Sequence, residues 1–281
     1  MMIPRTCKGV QQSRSPYISQ GAEGLQSLHA KIRRYRVGRV SFDARTLLVA
    51  GAFLCWIFAA MIELLALRRG TNRAGSDAWS IGLFAKGTGL YLISLRGSIE
   101  DIWSIAVANG LLLLGLLFFY AALQRVRGAI TSRVMISIMP VSLAIALPLI
   151  GFSAEAFGTR VLVIMAAWLF GFALSCWSAV QIARAGYWLG ASLILAANAA
   201  MAALAVAFGA AVFTNEVVGV FTGSDAQLAF YAATDVCIVV STIGYLIIIR
   251  VARDQLRHFD GEDEIRGKEL RREKDNADAG A

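Results

Sequence analysis

Histidine, cysteine and proline are scarce in this chain, and charge is thin. His29 and His258 are the only histidines, far apart and both outside the apolar runs, so a histidine-based catalytic or zinc site has nothing to be built from. Cys7, Cys55, Cys176 and Cys237 show neither paired nor metal-ligand spacing. The last three lie inside apolar runs, where a thiol behaves as a small apolar group, and no disulfide framework is expected. Charged residues make up only 16% of the chain and gather at its ends and in short connectors. What fills the rest is apolar: 57% hydrophobic residues, with a mean hydropathy of +0.62, describe a membrane protein throughout. The net charge of +8 does not indicate nucleic acid, because no basic domain stands apart from the apolar runs. Soluble-enzyme motifs are absent too. Gly87-Thr88-Gly89 lacks the third glycine and the strand of a dinucleotide loop, and Gly151-Phe152-Ser153-Ala154-Glu155 lacks the closing glycine of a nucleophile elbow. The acidic run Asp260-Gly261-Glu262-Asp263-Glu264 lacks Ca²⁺-loop spacing. No metal and no cofactor is expected, and the chain reads as not an enzyme.

Seven apolar runs, at 47–67, 79–95, 102–123, 134–150, 161–183, 188–213 and 229–250, are each near the length that spans a bilayer as a helix. The expected fold is all-α: a polytopic integral membrane bundle of about seven transmembrane helices. Its parts would be a basic extension over 1–40, the membrane domain over 41–250 and a charged cytoplasmic tail over 251–281. Short connectors imply antiparallel neighbours. Arg68, Arg69 and Arg73, then Arg125, Arg127 and Arg133, then Arg184, then Arg250, Arg253 and Arg257 fall in alternate connectors. By the positive-inside rule these face the cytoplasm, which places the C-terminus inside the cytoplasmic membrane. The basic stretch from Arg5 to Arg39 dissents, since it would have to cross. A start at Val37 or Val40 removes the conflict; a true cytoplasmic tail with one run misread as spanning is the competing account. Helix six, 188–213, is expected to be the most enclosed, because its alanines and the Gly186–Gly190 step permit close packing. Pro140 is expected to kink helix four.

Polar groups at membrane depth are the candidate site residues. Lys86 and Asp235 lie at similar depth in helices two and seven, roughly 10–13 Å from the outer ends by helical rise, and are expected to pair in the membrane. A ligand or proton site is the alternative for both. Asn109, Asn198 and Glu63 are candidate bundle residues: the two amides as interhelical hydrogen-bonding groups, Glu63 as an interfacial partner for Arg68 or Arg125. Arg96, Glu100 and Asp101 form a charged elbow between helices two and three, at the outer face.

The elbow carries a resemblance. Gly89-Leu90-Tyr91-Leu92-Ile93-Ser94-Leu95-Arg96-Gly97, Ile102-Trp103-Ser104-Ile105-Ala106-Val107-Ala108-Asn109, Gly115 and the exit Leu123-Gln124-Arg125-Val126-Arg127-Gly128 resemble a known membrane input region. It is the multi-helix N-terminal part of some proteobacterial diguanylate cyclases, the proteins that carry a GGDEF domain. The lead-in Phe42-Asp43-Ala44-Arg45-Thr46-Leu47-Leu48 matches where such proteins begin, and the likeness covers about residues 41–250. No Gly-Gly-Asp/Glu-Glu-Phe run follows, so the family's GTP and Mg²⁺ residues have no counterpart here. The resemblance implies a sensory or regulatory bundle of the bacterial inner membrane, a signal-input domain without its catalytic output. Candidate partners are the lipid bilayer, a second copy of the chain and a cytoplasmic output domain or partner; nucleic acid is not among them. A small transporter or permease using Lys86, Asp235 and Asn198 is the alternative, against which the chain shows no repeated half and no matched pair of broken helices. A membrane-embedded enzyme would need clustered acids or histidines at the membrane face, where the connectors are almost purely basic.

Overall fold

The computed structural model describes residues 43–67, 75–129, 133–153, 156–214, 227–252 and 254. Across these residues the chain is helical, with α1 at Ala44–Leu67, α2 at Ser76–Ser94, a π-helical turn at Ile102–Val107 running into α3 at Ala108–Val126, α4 at Arg133–Ile150, α5 at Phe157–Arg184, α6 at Trp188–Phe213 and α7 at Gln227–Ala252. No strand occurs among the described residues; the one bridge is an isolated contact of Arg96 with Ile99. The expected all-α class holds, and each apolar run became a helix within a few residues of its expected limits. The basic stretch 1–40, most of the tail beyond 252, and His29, His258 and Cys7 lie outside the described residues.

Five of the helices are long and apolar enough to cross a membrane: α1, the π turn with α3, α5, α6 and α7. The other two differ for separate reasons. In α4 the described apolar stretch covers only Ile136–Ile150, and the helix runs on through Pro140 and Pro148. α2 is 19 residues, roughly 28 Å of helix, but carries serines, glycines, a threonine and Lys86. A helix must be apolar only on the side that meets lipid, and most of α2 is enclosed: Trp79 and Leu83 have 1% or less of their surface exposed, while Ile81 and Phe84 on its outer side are apolar. Its glycines bring neighbouring backbones close. A Cβ on Gly87 would lie 2.9 Å from the Ala52 carbonyl of α1, and one on Gly89 would lie 2.8 Å from the Ala108 carbonyl of α3. In a membrane such close approach supplies the dispersion contacts that hold helices together.

The enclosed position falls to α3, correcting the expectation for helix six. In an apolar 18-residue stretch of Ile102–Val126, 67% of the residues are buried within the protein, against 22% in such a stretch of Trp188–Phe213. Alanines let α6 approach α7, where Gly190 and Gly244 meet face to face, each a bare backbone against the other's carbonyl. On the rest of α6 the same alanines stay exposed, among them Ala196, Ala199, Ala200, Ala203 and Ala207. Small residues permit burial without requiring it.

The interior is one continuous core. At its centre Trp79 of α2 stacks on Phe119 of α3, ring centres 4.5 Å apart, and on Tyr245 of α7 at 4.1 Å. This aromatic stack joins three helices.

Candidate functional site

The elbow is held by its own backbone. Gly97 takes φ +87°, a left-handed conformation that a side chain would strain. Around it the Arg96 amide donates to Ile93 O, the Ser98 amide to Leu95 O, and the Trp103 and Ser104 amides to Glu100 O. Arg45 of α1 donates from Nη2 to Arg96 O at 3.1 Å, fastening the elbow to the start of α1. Burial pushes the Arg96 guanidinium below its ordinary pKa, and the nearby Asp101 and Tyr231 act in the opposite sense. Glu100 and Asp101 are exposed. Asp101 and, from α7, Tyr231 thus lie in the neighbourhood of the Arg96 guanidinium.

Directly after the elbow comes the π turn, which the apolar run alone did not reveal. A π turn shifts the hydrogen-bond ladder and leaves carbonyls poorly matched. Just after it, Asn109 Nδ2 donates to Ile105 O at 2.7 Å, within its own helix and beside the Ala108 amide that bonds the same carbonyl. Asn198 does likewise to Ile194 O at 2.8 Å. Among the described residues neither makes the interhelical bond expected of it, because a carbonyl four residues back is already within reach of a short amide.

Lys86 and Asp235 do not form an ion pair within 4 Å, although each lies within electrostatic reach of the other. Asp235 sits against α1: a Cβ added at Gly51 would collide with its carboxylate. Lys86 instead lines a cavity walled by α2, α3, α5, α6 and α7, with its Nζ 5.9 Å from the centre of the Phe119 ring. Among the described residues it has no hydrogen bond and no ion pair. The cavity measures about 20 Å³, and Asn198, Ser175, Cys237 and Ser241 also line it.

At the opposite end Glu63 accepts a short hydrogen bond from Ser80 Oγ, and Arg125 pairs with Asp77 at 2.7 Å. The expected Glu63–Arg125 contact is therefore replaced: Asp77, in the first turn of α2, takes the arginine. Arg68 lies outside the described residues. Nearby, Gln124 bridges helices, donating from Nε2 to Ser178 Oγ at 2.9 Å and accepting from Arg127 at 3.0 Å.

Sequence reasoning missed Arg160. Its side chain is 3% exposed and donates from Nη1 to the carbonyls of Gly151, at 2.5 Å, and Ser153, at 3.0 Å. It thereby satisfies orphan carbonyls at the end of α4 from the first turn of α5. An arginine soon after a glycine that follows an apolar run was the available signal. Among the described residues, no three of His, Cys, Asp or Glu gather as a metal set. Neither a protein family, nor a curated protein, nor a solved structure matches the chain.

Proposed function

We propose that the chain is a signal-input bundle of the bacterial inner membrane, related to the N-terminal regions of GGDEF proteins, with seven spans and a cytoplasmic C-terminus. On this reading α2 and α4 cross with the five more apolar helices, since α2 has nearly the thickness of the hydrocarbon core and little contact with lipid. The bundle is not itself an enzyme; it passes a change at the outer elbow to the tail that follows α7.

The observation that carries this reading is the position of Arg96. It belongs to the elbow, it is tied through its carbonyl to α1, and its guanidinium lies in the neighbourhood of Tyr231 in the first turns of α7. α7 as a whole runs 26 residues, roughly 39 Å, to the tail. A rigid helix that starts at the elbow and ends at the tail is a direct mechanical link. The rival transporter reading needs a path for solute, and the cavity beside Lys86 has room for about one water.

The test is a fusion of a GGDEF catalytic domain after Ala281, with cyclic dinucleotide output measured in cells. Arg96→Ala and Tyr231→Phe should each shift the output at equal fusion abundance. Output indifferent to both would overturn the input reading. Orientation is checked separately by single cysteines in a cysteine-free background: Ser98→Cys labels with an impermeant thiol reagent from the periplasm, and Gly128→Cys only after the inner membrane is opened.

A further inference from the structure

Lys86 presents a problem that the signal path does not use. An amine at membrane depth is costly unless its hydrogens find acceptors. Among the described residues Lys86 has none, and Asp235 is beyond ion-pair distance. Facing the same cavity from α5 is Ser175, 2% exposed, whose hydroxyl also has no partner among the described residues. From α6 comes Asn198, whose Nδ2 is engaged with Ile194 O, leaving Oδ1 as an acceptor. From α7 comes Ser241, whose hydroxyl hydrogen goes to Cys237 O, leaving oxygen lone pairs. A donor, two acceptors and a hydroxyl able to do either thus line a cavity of about 20 Å³.

We propose that this cavity is a binding site for one ordered water, held by Lys86 Nζ, Ser175 Oγ and Asn198 Oδ1. The size fits, since a water needs roughly 10–15 Å³ of such space, and so does the number of partners, since buried waters make about three hydrogen bonds. The water accepts from the lysine and donates to the amide oxygen and the serine. A small anion fits less well: Asp235 lies within electrostatic reach of Lys86, and Asn198 and Ser241 present acceptors. Bridging by water joins α2 to α5 and α6, helices that Lys86 does not bond directly. Lys86 is then a positioning residue of the bundle, and its ammonium is solvated without a direct ion pair.

Two buried methionines supply the test. Met201 lines the cavity and is 4% exposed; Met165 is 8% exposed and lies away from it. Radiolytic hydroxyl-radical footprinting of the full chain in lipid nanodiscs generates radicals from bound water at its own site. Met201 should oxidise several-fold faster than Met165 despite being the more buried. Ser175→Ala and Lys86→Leu should each bring Met201 down to the rate of Met165. If Lys86→Leu does not fold, Ser175→Ala decides alone, since it removes one oxygen. Equal rates in the native protein, or a Met201 rate that Ser175→Ala leaves unchanged, would overturn the assignment. So would a Met201 rate that rises when gluconate replaces chloride, because an anion would then hold the site.

Discussion

Gly115→Ala, set beside Gly209→Ala, tests the packing of α2 on α3. A Cβ at Gly115 would lie 2.8 Å from the Gly82 carbonyl oxygen, 3.1 Å from Lys86 Cβ and 3.3 Å from the Lys86 amide. These are mostly backbone or near-backbone atoms of a helix and have no rotamer by which to move aside. The two helices must separate, and contacts along both sides of the glycine are lost. Overpacking of this kind costs roughly 1–3 kcal/mol, while replacing glycine by alanine within a helix returns roughly 1 kcal/mol. The net expectation for Gly115→Ala is a loss of up to about 2 kcal/mol. At Gly209 an added Cβ meets nothing within 4 Å, so only the helix-propensity gain of up to about 1 kcal/mol remains. The signs are opposite. At roughly 2–4 °C per kcal/mol, the two variants should unfold several degrees apart, on opposite sides of the native protein. Intrinsic tryptophan fluorescence during heating in detergent measures this. Two shifts of the same sign would refute the close approach of α2 and α3.

Three further outcomes follow from named contacts. Gly51→Ala should destabilise the bundle by roughly 1–3 kcal/mol through its collision with the Asp235 carboxylate, and adding Asp235→Ala should recover part of the loss; full additivity in melting temperature would show that Asp235 does not rest on α1. Arg160→Met strips donors from the Gly151 and Ser153 carbonyls and should cost about 2–4 kcal/mol, with chymotrypsin cleavage at Phe152 as the local readout; native resistance to cleavage would count against the cap. Arg125→Ala removes an ion pair whose two side chains are 44% and 42% exposed, so its effect should stay below about 1 kcal/mol and shrink in high salt; a larger loss would mean that Arg125 has a buried role.

Much of the candidate site was legible as a set of positions and little of it as a set of contacts. Lys86, Asp235, Asn109 and Asn198 stood out because a polar residue in a long apolar run is rare and costly. Depth along a helix follows from counting residues, so Lys86 and Asp235 were placed in the same layer and do lie within electrostatic reach. Their direction around the helix axis does not follow from depth. Asp235 rests against Gly51 on α1, and Lys86 points to a cavity walled by α3, α5, α6 and α7. Ser175 and Arg160 gave weak signals, since a serine in an apolar helix is common and Arg160 stood at a helix end.

The sequence by itself determined that this is a helical membrane protein and where each helix runs. Span length is a local property, set by the rise per residue against the thickness of the hydrocarbon core. Only the tertiary structure decided which helices are enclosed. Lipid tails are as apolar as leucine, so the lipid-facing and core-facing sides of a membrane helix carry the same hydropathy, and no period in the sequence separates them. That is why alanine-rich α6 is left at the rim while α3 takes the centre. It is also why α2, the least apolar to the eye, is packed through Gly82, Gly87 and Gly89 between its neighbours, with its polar residues mostly covered by protein and Ile81 and Phe84 facing outward.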